Sequence, residues 1–226
     1  MRLVKPLRRW LSLRLASRSG GWRGVPRLAL ALALVPVLAG ARCAVVASSG
    51  TDGGSGLVLV VGSTEALSFA APTTAGLRFE AGTRQGLTGS DGRFTVVVGD
   101  LARFRIGDIQ FGSTRALRRQ LSLLDLVPGA TLDQPAVINR ARLLYSLDAD
   151  LDDLAVTIPP RVDAEAVTSN PDLGTLVATL DFADDANFDA VAPNLVAQLT
   201  RDYGFTVVLL DRSSARQRLE ADLQRL

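Results

Sequence analysis

The stretch Gly86–Gly112, GLTGSDGRFTVVVGDLARFRIGDIQFG, decides the fold. Phe94-Thr95-Val96 and Ala102-Arg103-Phe104-Arg105-Ile106 alternate apolar and polar side chains, the period-two pattern of strands with one buried face. Ser90-Asp91-Gly92, Gly99-Asp100 and Gly107-Asp108 punctuate them with residues that tolerate positive φ or bond their own backbone, so the chain must reverse there. Working outward, Leu77-Arg78-Phe79-Glu80 alternates in the same way and Leu57-Val58-Leu59-Val60-Val61 is a short β-branched run. Strands at this spacing predict a small antiparallel β-sandwich over residues 57–112.

Beyond Gly112 the period changes. Val137, Ala141, Leu144 and Tyr145 recur at helical spacing behind Asp133-Gln134-Pro135, which predicts a helix with Asp133 as its N-cap. Two more helices are expected, over residues 188–202 and about 213–226, and Val207–Leu210 is a candidate further strand. The fold class is therefore α+β: a small sandwich followed by a mainly helical part, residues 113–226, packed on it.

The charge distribution separates a leader from this body. The chain carries 25 Lys+Arg, 23 Asp+Glu and no His. No acid precedes Asp52, and nine of the bases lie within the first 42 residues, leaving 16 against 23, a net of −7 for the remainder. Leu28–Leu38 is an apolar run followed by Ala39-Gly40-Ala41, the order of a signal peptide over residues 1–42. The run is too short for a spanning helix. Arg8-Arg9-Trp10-Leu11 is a partial twin-arginine pattern, and a start at Val25 would also leave a complete signal peptide. Cys43, the single cysteine, is the candidate lipidation site. Leu38-Ala39-Gly40 precedes it as in a lipobox, with Ala41-Arg42 intervening, while cleavage after Ala41 would instead leave a free thiol near the new terminus. Residues 43–56, rich in Gly and Ser, have tether composition.

The absences are equally informative. Without His there is no Ser-His-Asp or Cys-His nucleophile, and with one Cys no zinc knuckle, iron–sulfur cluster or internal disulfide. No G-x-S-x-G, S-x-x-K or phosphate-binding glycine loop occurs, and the only Lys is Lys5. An acidic body argues against nucleic acid as a partner. No catalytic residue is assigned.

Three charged groups remain. Asp148, Asp150 and Asp152 have the D-x-D-x-D spacing that converges carboxylates on a hard cation, which makes calcium the one cofactor to consider. Asp153 at position 6 and Pro159 at position 12 exclude an EF-hand, and a solvated acidic turn explains the run equally well. Asp181, Asp184, Asp185 and Asp189 supply a carboxylate pair for a hydrolase, or, for Asp189, an ordinary helix-start acid. Arg115, Arg118 and Arg119 form a basic knot suited to anionic headgroups or an acidic partner, or to an exposed helix face. Asp125, Asn139 and Arg142, polar residues in apolar blocks, are expected to tie the first helix to the β part.

Gly86–Thr95, Val98-Gly99-Asp100, Phe104–Ile109 with Phe111-Gly112, Leu123–Val127 and Val137–Asp150 resemble, in order, a module of Gram-negative envelope lipoproteins and adhesin-like proteins. Their opening element is similar to the carboxypeptidase-regulatory-like, transthyretin-type sandwich. The resemblance implies an exported protein, anchored at the outer membrane, periplasmic or secreted. Its partner would be an envelope protein or surface ligand, with the membrane engaged through a lipid anchor if Cys43 is modified. It implies no enzymatic activity.

Overall fold

The computed structural model describes residues 63–150 and 153–226. The expected signal peptide and tether, Cys43, the Leu57–Val61 run and Asp152 lie outside the described residues. The fold is α+β, with strands first and helices after.

β1 (Thr64–Ala71), β2 (Thr74–Ala75), β3 (Arg78–Ala81), β4 (Arg84–Leu87), β5 (Arg93–Val97), β6 (Leu101–Ile106), β7 (Ile109–Arg115) and β8 (Gln120–Ser122) come first, and β9 (Val156–Thr157) follows later. Among the described residues one sheet has the order β5-β1-β8, a second β4-β3-β6-β7, and β2 and β9 form a third, two-stranded sheet. Alternation places Leu67 and Phe69 of β1, Phe94 and Val96 of β5, Phe79 of β3 and Phe104 and Ile106 of β6 in the core. Phe104 meets Phe69 at 5.2 Å between ring centroids and Phe94 at 5.3 Å, while Phe79 meets Phe94 at 5.1 Å. These contacts cross between the sheets, so Phe94 and Phe104 of the opening stretch lie in the sandwich interior with Phe69 and Phe79.

Two glycines of that stretch are sterically required. Gly92 has φ +71°, and a Cβ there would stand 2.2 Å from the Phe69 carbonyl oxygen. Gly107 has φ +55°, with the Ala166 carbonyl oxygen 2.1 Å from the Cβ it lacks. The second closeness is the docking of helices on strands. Asp108 N–H donates to that same carbonyl at 2.7 Å, and Asp108 Oδ2 accepts both the N–H and the hydroxyl of Thr168.

The pairing is not wholly antiparallel. β8 lies parallel to β1, and β9 parallel to β2. Strands also continue past Gly112, so the expected change to helix there comes about ten residues later, after β8. The arginine knot is accordingly no helix face: Arg115 ends β7, and Arg118 and Arg119 lie in the connection to β8. At the end of β8, Asp125 Oδ2 accepts from Ser122 N and Oγ, both at 2.8 Å, and closes a short 3-10 turn over Leu123–Leu126.

Five helices follow: α1 (Pro135–Ser146), α2 (Pro160–Glu165), α3 (Gly174–Thr179), α4 (Asp185–Leu199) and α5 (Arg212–Leu223). Gln134, not Asp133, is the N-cap of α1; Asp133 instead accepts from Arg216 at 2.8 Å. Asp184 caps α4, accepting from Ala186 N and Asn187 N, and Asp211 caps α5 through Ser214 N. Val137, Ala141 and Leu144 of α1 are buried, as their spacing predicts, and Ala215 and Leu219 of α5 are buried in the same core. A run of rings joins strands to helices: Phe111 to Phe182 at 5.5 Å, then Phe182 to Phe188 at 5.8 Å. Val207–Leu210 forms no strand and has no regular secondary structure. Among the described residues no helix is long and apolar enough to cross a membrane.

Candidate functional site

The acidic run Asp148–Asp153 begins just past the C-terminal end of α1. Asp148 follows the C-cap Leu147, and α1 delivers it into a turn where the backbone has no helical partners left. Its Oδ1 accepts N–H bonds from Asp150 at 3.2 Å and Thr157 at 2.9 Å, which fixes the return into β9. The residue is buried. Burial pushes its carboxyl above the ordinary range against those two bonds, because desolvation penalises the charged form. Asp150 is exposed, and Asp153 Oδ1 accepts from Ala155 N at 2.8 Å. Among the described residues no three His, Cys, Asp or Glu side chains are grouped to hold a metal ion.

A small cleft of about 100 Å³ opens beside this turn, lined by Asp148, Asp153 and Tyr145 on one side and Arg218, Asp222 and Arg225 of the α5 end on the other. Tyr145 donates its O–H to Asp222 Oδ2, and Arg225 pairs with Asp222 Oδ1. Burial and that bond hold the Tyr145 hydroxyl above its usual range, so it remains a proton donor to Asp222. Arg218 lies over the Tyr145 ring, 5.2 Å from its centroid. Both Asp222 oxygens are thus engaged within the protein. Sequence spacing pointed only to the Asp148–Asp153 side of this cleft, because Tyr145, Arg218, Asp222 and Arg225 belong to no motif and lie up to 80 residues apart.

These bonds make a direct prediction. Asp148→Asn keeps an acceptor for the two N–H groups and removes the buried charge, so its stability at pH 7 should match or exceed that of the parent. Asp148→Ala orphans both donors and should cost about 2 kcal/mol. With a folded pKa above the unfolded value, Asp148 favours the fold most when protonated. Its contribution should therefore weaken as pH rises from about 4 through the folded pKa, and urea titrations across that range should be flatter in Asp148→Asn. Calcium tests the cation reading on the same samples: a rise in Tm that Asp150→Ala abolishes supports it, and no shift at millimolar calcium removes it.

The second acidic group does not converge. Asp181 accepts from Ala183 N, Asp184 caps α4, Asp185 accepts from Asn139 and Arg212, and Asp189 pairs with Arg142 at 2.7 Å. Each carboxylate has a structural partner. Asn139 and Arg142 tie α1 to the helical part and not to the strands: Asn139 donates to Phe182 O and Asp185, Arg142 to Leu210 O and Asp189. The residue that joins α1 to the sheets is Arg140, which donates to Phe111 O and lies over the Phe182 ring at 4.6 Å. A second groove, of about 590 Å³, is open along β4 and β5 with Phe79 and Phe94 beneath and Arg84 and Arg93 beside it. In comparison with known proteins, the chain matches no family model, no curated protein and no solved structure.

Proposed function

We propose that the chain is a non-enzymatic, exported cell-envelope protein whose α+β body acts by interaction or surface display. The observation that carries this reading is the order of the chain: an acid-free, arginine-rich leader with an apolar run and small residues, a Gly/Ser-rich stretch, then an acidic body. The resemblance to envelope lipoprotein modules points the same way. So does the engagement of Asp148, Asp184 and Asp189 in a turn, a helix cap and an ion pair, which gives these carboxylates a structural reason to be present.

Fractionation of cells producing the full chain tests the proposal. The protein should be found outside the cytoplasm with a mass lacking the leader, and full-length protein confined to the cytosol would overturn it. Palmitate labelling that disappears in Cys43→Ser would establish a lipid anchor. A mature N-terminus at Arg42 would establish an unlipidated, exported form.

A further inference from the structure

One end of the sandwich combines features that the bonding elsewhere does not absorb. The β5–β6 turn and the β7–β8 connection are hydrogen-bonded to each other there: Gly99 N–H donates to Ala116 O at 3.0 Å, and Ala116 N–H to Asp100 O at 2.9 Å. Gly82, in the β3–β4 turn, packs against the Asp100 carboxylate, which brings Arg84 to the same end. This end exposes Leu117 (68 % exposed), Val98 and Leu101. Single exposed apolar residues are ordinary, but here Val98 and Leu117 lie on two hydrogen-bonded connections and Leu101 at the start of β6, at one end of the sandwich.

Arginines surround it. The side chains of Arg118 and Arg119 are 79 % and 76 % exposed, whereas their acidic neighbours Asp125 and Glu65 are set back at 23 % and 30 % and stand 3.7 and 3.9 Å away. Exposed pairs at such distances hold weakly. Arg115 donates to Gly99 O at 3.3 Å across the two loops. Asp100 is half-buried against Gly82, so the outermost charge of this end is positive on a body that is otherwise acidic.

The chain also enters the body at this end. Val98 N–H donates to Ser63 O at 3.1 Å, and Thr64 is opposite Val97.

We propose that this end is a docking surface for an anionic lipid bilayer, with Leu117 entering the interface and Arg84, Arg115, Arg118 and Arg119 binding headgroup phosphates. Arginine supplies bidentate donors for phosphate, and a leucine at a loop tip buries its side chain at the level of the headgroups. The proposal rests on the envelope reading only for which membrane the body meets. The surface itself is testable without it.

The test uses the full chain with Cys43→Ser and one new cysteine, either Leu117→Cys or Ser169→Cys, carrying an environment-sensitive fluorophore. Ser169 is exposed and adjoins Thr168, at the opposite, Asp108 end of the sandwich. Vesicles of phosphatidylcholine, alone or mixed with phosphatidylglycerol, are the probe. The label at 117 should brighten with the anionic vesicles, lose the signal at high salt, and leave the label at 169 dark. Arg118→Glu with Arg119→Glu should weaken the partition by about tenfold or more. Cosedimentation without a response at 117 would show that the leader alone holds the vesicle and would overturn the proposal. Equal responses at 117 and 169, equal responses on neutral vesicles, or a label at 117 that answers only to an acidic protein would overturn it as well. Failure of the envelope reading looks different: a cytosolic, unprocessed chain in the fractionation, whatever the vesicles report.

Discussion

Asp163→Ala should lower the stability of the protein by about 3 kcal/mol, or roughly 10 °C in Tm for a body of this size. Asp163, on α2, is almost fully buried and accepts from the Arg78 guanidinium of β3 and from Gly107 N–H at 2.8 Å. Truncation leaves a buried N–H and a half-buried guanidinium without their acceptor, and the cost of breaking a buried pair from one side exceeds the net value of the pair. Asp163→Asn keeps an oxygen for Gly107 and should cost about half as much. Burial raises the Asp163 carboxyl, but the Arg78 and Gly107 bonds outweigh it and hold the group below the ordinary carboxylate range. The sign follows. Its contribution is complete above the unfolded value of about 4 and is lost as pH falls through the lower folded value, so parent and Asp163→Ala should converge in acid. Urea unfolding of both proteins from pH 7 downward measures this. A constant difference at every pH would show that the effect is packing and not charge.

Arg142→Ala should have a similar effect, about 3 kcal/mol, for a different reason. This side chain is a hub between three segments. Its Nε donates to Leu210 O at 2.9 Å, its Nη1 to Asn139 Oδ1 at 3.1 Å and Asp189 Oδ1 at 2.7 Å, and its guanidinium lies 5.0 Å from the Phe188 ring centroid. Leu210 N–H is held in turn by Ser146 Oγ at 2.8 Å. The irregular segment before α5 is thus fastened at Leu210 by two polar side chains of α1 and has no β ladder to hold it. Arg142→Met, which retains the stem over Phe188, should lose about 2 kcal/mol, and Arg142→Lys should not restore the full value, because one ammonium cannot serve three acceptors in that plane. Amide exchange at Leu210 should quicken in each variant more than exchange in β1 or β6. Uniform quickening would mean that the hub acts only through global stability.

Both variants act on contacts between distant parts of the chain, and these were the contacts hidden in the sequence. The sandwich core was legible because period two and the G-D turns are local: Phe94, Phe104 and Ile106 point inward on alternation alone. Gly92 and Gly107 carried a turn signal, but their close approaches to the Phe69 and Ala166 carbonyls depend on what packs there. The parallel pairing of β8 with β1 was not legible, because Gln120-Leu121-Ser122 is too short to show a period. The arginine knot was legible as charge and misread as a helix face, since three arginines in nine residues fit a turn equally well. Asp133 and Asp189 each have the composition of a helix-start acid, yet Gln134 and Asp184 occupy the caps, because the register of a helix start is fixed by how the helix packs.

The sequence by itself determined the α+β class, the inward faces of the strands and of α1, the lack of any histidine for a catalytic pair, and the separation of a basic N-terminal stretch from an acidic remainder, because composition and periodicity are properties of neighbours along the chain. Tertiary structure alone decided which polar groups meet. Arg78 finds Asp163, Tyr145 finds Asp222 and Arg142 finds Leu210 across dozens of residues, and Leu117 and the arginines come to lie where the chain enters the body. The physical reason is that hydrogen bonds and ion pairs are made in space once the apolar core has set the distances, whereas sequence pattern records only which side of an element is to be buried.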